Sequence, residues 1–87
     1  MFEWDESKRL STIAKHGIDF AAALTIFEGD HLIIPAKSDT EPRFAAVANW
    51  KGTWVTVVFT RRGETIRLIT ARRARDNERN HYHARYG

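Results

Sequence analysis

The stretch Arg43–Ala71 reads RFAAVANWKGTWVTVVFTRRGETIRLITA, and its spacing decides the fold. Three runs rich in β-branched and aromatic residues, Arg43–Trp50, Thr53–Thr60 and Thr65–Ala71, are separated by two short polar breaks. Such residues suit a pleated, half-buried surface, and breaks this short that contain Gly mark tight hairpins. Lys51-Gly52 makes the first turn. Arg61–Glu64, centred on Arg62-Gly63, makes the second, so an antiparallel meander is predicted. With two-residue loops Trp50 faces Thr53 and Arg61 faces Glu64. That register puts Phe44, Ala46, Ala48, Trp50, Val55, Val57, Phe59, Ile66 and Leu68 on one face. The opposite face receives Arg43, Val47, Asn49, Trp54, Thr56, Val58, Thr60, Arg67 and Ile69. A slip of one residue would exchange the two sets. The second face mixes arginine with apolar residues, so a further element is expected to cover or visit it.

Upstream of the meander, His31–Pro35 is a short apolar strand that Pro35 ends or confines to an edge, and Lys37–Pro42 is a polar loop. Earlier still, Asp5 is a good N-cap for Glu6–His16, with Leu10, Ile13 and Ala14 as its apolar stripe and Gly17 closing it. Asp19 opens a second helix, Phe20–Glu28, in which Phe20, Ala23, Leu24 and Phe27 recur at i, i+3, i+4 and i+7 before Gly29. Phe2-Glu3-Trp4 is a short strand or an extended lead-in. Downstream, Arg73–Tyr86 carries many charges without internal Gly or Pro and reads as a helix. The sum is an α+β domain over residues 1–87: two N-terminal helices packed on a four-stranded antiparallel sheet, with a C-terminal helix.

Composition narrows the function. The chain of 87 residues is 43% apolar with three Trp and five Phe, too much for disorder but enough only for a thin core. It contains no Cys, which removes disulfides, thiolate metal sites and thiol nucleophiles. No apolar run is long enough to span a bilayer, and the opening residues lack the parts of a signal peptide, so a cytoplasmic protein without membrane contact is expected. Charge is uneven: residues 61–87 hold eight Arg, no Lys and three acids, whereas residues 1–60 hold six basic and eight acidic residues. Guanidinium forks grip phosphate and carboxylate oxygens alike. A basic end of this kind points to a nucleic acid or an acidic protein, and equally to a solvated helix face.

The sequence resembles the BrnT family of bacterial toxins. In the first half the likeness rests on Phe2-Glu3-Trp4-Asp5 with Lys8, then Lys15-His16-Gly17-Ile18-Asp19-Phe20 with Ala23 and Phe27. The second half adds Arg43, Val57–Arg61, the block Ile66–Ala74, Glu78-Arg79 and Tyr82. Thr70 stands where the family commonly has Ser, and the histidine-rich tail His81–Tyr86 has no role in the family pattern. The resemblance implies a RelE-like fold and a ribonuclease that shuts down translation. It also implies neutralisation by a BrnA-type antitoxin carrying a ribbon-helix-helix domain, with DNA contacted only through the toxin–antitoxin complex.

Cleaving RNA without a metal or cofactor needs a base for the 2′-hydroxyl, an acid for the leaving oxygen and fixed cations for the phosphorane. Arg67 is the first candidate, because a charge in the middle of a strand must face an opening or pair with an acid such as Asp39 or Glu41. Arg72 and Arg73 follow at the strand end, where sites are commonly built, and one of them could instead cap the helix. His16 and Lys15 close the first helix; the imidazole could move protons or simply face the helix dipole. Arg43, Arg61 and Tyr82 are candidate substrate contacts, and Tyr82 could equally pack the last helix. His81 and His83 lie on different sides of a helix, a poor arrangement for a metal. The competing reading is a non-catalytic basic module for nucleic acid or an acidic protein. Under a third, the arginines serve antitoxin binding alone.

Overall fold

Both hairpins form in the computed structural model, which describes residues 1–87. Nine elements follow one another: β1 Phe2–Trp4, α1 Glu6–His16, α2 Phe20–Ala23, a 3-10 segment Leu24–Glu28, β2 Leu32–Ala36, β3 Arg43–Trp50, β4 Thr53–Arg62, β5 Thr65–Arg73 and α3 Asp76–Tyr86. They build one five-stranded sheet in the order β1-β5-β4-β3-β2. The expected four-stranded antiparallel sheet is therefore corrected to a mixed one. Phe2–Trp4 is a true strand, lying parallel to β5 with Phe2 opposite Ile66 and Trp4 opposite Leu68.

The first turn is as expected. Lys51 and Gly52 both take positive φ, 52° and 86°, and the Asn49 side chain accepts the Gly52 N–H at 2.8 Å. The second turn differs. Arg62 pairs with Thr65 and Arg61 with Ile66, so the loop is Gly63-Glu64, with Gly63 supplying the positive φ of 62°. This register differs from the expected one by two residues, an even number, so the two faces survive. A bulge follows: Phe59 pairs with Leu68 but Val58 with Thr70, leaving Ile69 unpaired on β5. Beyond it the phase of β5 reverses, and Ala71 joins Leu68 in the core while Thr70 and Arg72 turn to the other face.

One face carries the core. Ile18, Phe20, Ala23 and Ile26 pack on Ala46, Ala48, Val55, Val57, Phe59, Leu68 and Ala71. Phe27 meets the Phe59 ring edge-on at 5.5 Å and Trp4 meets Phe20 at 6.1 Å. The small residues Ala46 and Ala48 let the α2 layer approach. That layer is shorter than the helix expected over Phe20–Glu28, because after one α-turn the chain tightens into 3-10 geometry.

Caps fix the ends of α1. Asp5 accepts the Ser7 N–H at 2.8 Å, and Gly17, left-handed at φ 69°, donates its N–H to Ile13. A side chain at this φ is strained. Gly17→Ala is expected to cost about 1 kcal/mol, or roughly 4–8 °C in a thermal melt; an unchanged melt would show that the cap carries no strain. The apolar stripe expected on α1 is corrected, since Leu10 is 56% exposed and Ala14 is also exposed, while Thr12 is buried. The helix instead turns Lys8, Ser11, Thr12 and Lys15 towards β5.

On the opposite face α3 covers only part of the sheet. Strand β5 runs on to Arg73 and the helix starts at Asp76, three residues later than expected. Tyr82 packs against Trp54 at 4.9 Å, and burial together with the nearby Asp30 charge pushes its phenol up from the ordinary value. The Tyr86 hydroxyl donates to the His31 carbonyl at 3.2 Å. These contacts pin the helix over the Trp54 end of the sheet and leave the Arg43 end uncovered.

Candidate functional site

The uncovered half of that face forms a walled trough. In the register Ala36 lies beside Arg43, Thr60 beside Arg67, and Arg67 beside Glu3. The next row is Ile34, Ala45, Val58 and Thr70. One wall is α1, another is the loop after β2, and the third is the start of α3. Four cavities divide this space and share their lining residues. The first, about 250 Å³, lies between α1 and the bulge, with Lys8, Ser11, Thr12, Lys15 and His16 on one side and Ile69 and Thr70 on the other. Lys8 and Ile69 also line the second, about 200 Å³, with Asp5, Glu41, Arg43 and Arg67. Arg43 continues into a third, about 450 Å³, along the loop Lys37–Thr40. Lys37 then borders the fourth, about 360 Å³, at the first turn of α3.

The arginines divide by their partners. Arg67 donates to the Glu3 carboxylate, so its ion pair is made with β1 rather than with the loop acids Asp39 or Glu41. Arg72 grips Glu78 with both nitrogens at 2.8 and 2.9 Å. Glu78 is buried at 5% exposure, and that burial pushes its pKa up. The Arg72 hydrogen bonds, the Arg75 N–H at 2.8 Å, the Arg72 charge and the Thr56 hydroxyl outweigh it and hold the carboxyl at about 2. This pair is the polar clasp between α3 and the sheet.

Arg43 is different. It is half-buried, its Nε is buried without a hydrogen-bond partner, and no carboxylate forms an ion pair with it. A buried donor left unmade costs about 1–3 kcal/mol. The same residue lines two of the four cavities, so this guanidinium borders the trough without an ion-pair partner inside the protein.

Of the candidates named from sequence, Lys15 and His16 line the α1 cavity and Arg43 and Arg67 the next one along the trough, the two joined through Lys8 and Ile69, and Arg72 borders the far end under α3. The remaining three lie elsewhere. Arg73 pairs with Val55 and belongs to the core-face row. Arg61 sits on the same side, 5.8 Å above the rings of Phe44 and Phe59. Tyr82 is taken up by Trp54 and Tyr86. Lys8, Lys37, Thr70 and Asn77 line the trough and were not candidates. Lys8, Ser11, Thr12 and Lys15 recur at i, i+3, i+4 and i+7, a readable signal of one helix face.

A family model described as ribonuclease toxin, BrnT, of type II toxin–antitoxin system matches residues 4–78. The crystal structure of the Brucella abortus ribonuclease toxin, BrnT, superposes with a TM-score of 0.70 at 33% identity, covering 87% of this chain and 100% of that one. No curated protein matches the chain.

Proposed function

Since this chain belongs to the BrnT family of ribonuclease toxins of type II toxin–antitoxin systems, we propose that the trough cleaves RNA internally without a metal ion and so halts translation. One observation carries this reading: Arg43, with a buried donor and no partner in the protein, lies in a groove whose other unpaired cations are Lys8, Lys15, Lys37 and Arg75. An RNA backbone laid along it would supply the missing acceptors. We read the fold as the RelE-like arrangement with a parallel edge strand added.

In this mechanism the 2′-hydroxyl attacks the adjacent phosphorus. Its proton passes to a base and the leaving 5′-oxygen takes one from an acid, so the products end in a 2′,3′-cyclic phosphate and a free 5′-hydroxyl. His16 and Lys15, neighbours at the end of α1, are assigned to the proton transfers. Arg43 and Lys8 stabilise the charge on the phosphorane, which is commonly the largest catalytic term. Arg67, half neutralised by Glu3, positions the backbone. Arg72 acts by seating α3 at the trough's end. Arg61, Arg73 and Tyr82 have no part in the chemical step.

The family implies an antitoxin. We assign it to the BrnA type, with a ribbon-helix-helix domain through which the complex contacts DNA. The chain expressed alone is expected to arrest growth of a bacterial host and to leave cellular RNA with new 2′,3′-cyclic phosphate ends, and a co-expressed antitoxin is expected to relieve the arrest. Normal growth with the folded protein accumulated would reject this reading.

A non-catalytic basic module remains the second reading, and one observation favours it: the trough holds a single imidazole among lysines and arginines. Both readings predict RNA affinity that falls steeply with salt. Only the first predicts products.

A further inference from the structure

The cavity at the start of α3 is built differently from the rest of the trough. Its floor is apolar, with Ala45 and Val58 adjacent in the β3–β4 register and Ile34 beside Ala45. Val58 is only half-buried, whereas its neighbours Val57 and Phe59 are fully enclosed. One wall is the edge strand β2 through Ala36, and the other is the first turn of α3 through Asn77 and the Arg72–Glu78 pair. Ala45 is buried between its neighbours, but Val58 and Ile34 stay half-buried, and the aromatic contacts that α3 makes with the sheet lie at its far end, on Trp54.

We infer that this cavity is a nucleobase subsite, taking one base of an RNA strand whose backbone runs past Lys37 and Arg43. The inference rests on the ribonuclease reading and names where that site takes hold of a base. Two observations select the occupant. Lys37 lines both this cavity and the loop cavity that Arg43 closes, so a phosphate held there leaves its own base at the apolar floor. With Arg72 taken up by Glu78, the mouth still carries Lys37 and Arg75, charges suited to a phosphate-bearing guest and poorly suited to an apolar peptide side chain. At about 360 Å³ the space is in the range of small-ligand pockets, and a planar ring laid over the small, buried Ala45 would rest on the half-buried Val58 and Ile34 to either side of it. The Glu78 carboxylate is taken up by Arg72, Arg75 and Thr56, so the polar partner left for a base edge is the exposed Asn77 amide, which can both donate and accept.

The test is a methyl-resolved NMR titration of the full chain with each of the four nucleoside 5′-monophosphates, and with ribose 5-phosphate as a probe lacking the base. At least one nucleotide is expected to shift the Ala45 and Val58 methyl signals saturably, and ribose 5-phosphate is expected to leave them in place. Ala36→Trp fills the cavity from the edge strand, and Asn77→Ala removes the amide from an exposed position; each is expected to weaken that nucleotide about tenfold or more. Silence of these methyls towards all four nucleotides, or an equal response to ribose 5-phosphate, overturns the subsite and leaves the cavity to a protein partner. Binding of a mononucleotide requires no cleavage, so the two claims fail separately. Shifted methyls with uncut RNA would remove the nuclease and keep the subsite, and cut RNA with silent methyls would do the reverse.

Discussion

Arg43→Ala is expected to lower RNA cleavage by about 10²–10³-fold, the loss typical when one charged or hydrogen-bonding stabiliser of a transition state is removed. Its fold should be untouched. The Arg43 Nε has no partner to lose, so removing it relieves a buried, unsatisfied donor and leaves the thermal midpoint level or slightly higher. Loss of activity without loss of stability is what separates a residue held for a ligand from one held for the fold. Arg43→Lys keeps the charge but not the planar fork and is expected to recover little. Arg67→Ala makes a useful contrast, because it leaves the Glu3 carboxylate unpaired and should cost both activity and stability. Full activity in Arg43→Ala would remove this residue from the site.

Glu78→Gln is expected to destabilise the protein by about 2–3 kcal/mol, or roughly 10–20 °C in midpoint. The substitution leaves the Arg72 guanidinium, 19% exposed, without its counter-charge, and weakens the bond accepted from Thr56. Residual water at Arg72 keeps the cost below that of a fully buried pair. The same carboxylate sets an acid dependence. Its pKa falls from an ordinary 4.5 to about 2 on folding, so the stabilisation is complete above about pH 4.5 and is lost as pH drops towards 2. Wild-type stability measured by denaturant melts should therefore fall across that window, and the fall should be much shallower in Glu78→Gln. Parallel curves for the two proteins would show that Glu78 is not the clasp.

The strands and their two faces were legible because alternation and hairpin chemistry are local. What lay between distant segments was not. β1 has three residues, too few for a period, and its parallel partner lies more than sixty positions away. Missing that pairing also hid Glu3 as the partner of Arg67. The bulge at Ile69 leaves no mark in a run of β-branched residues, yet it decides that Arg72 turns towards α3 and Arg73 away from it. In α1 the apolar stripe was a false lead: Leu10 faces solvent and the polar stripe Lys8, Ser11, Thr12, Lys15 faces the sheet. Hydrophobic periodicity finds the core side of a helix only where that side meets the core. Here it meets the trough, and so Lys8 went unnoticed beside His16 and Lys15. Arg43 was named from sequence, but what sets it apart from the other arginines of the trough, a buried donor without a partner, is visible only in the fold.

The measurement closest to the central claim is incubation of the purified chain with end-labelled RNA in EDTA, with Arg43→Ala and Arg67→Ala proteins prepared alongside. Discrete fragments ending in 2′,3′-cyclic phosphate from the wild type, and fewer by two orders of magnitude or more from Arg43→Ala, are the predicted result. Intact RNA under conditions where the wild-type protein demonstrably binds it would contradict a metal-independent ribonuclease and leave a basic binding module in its place.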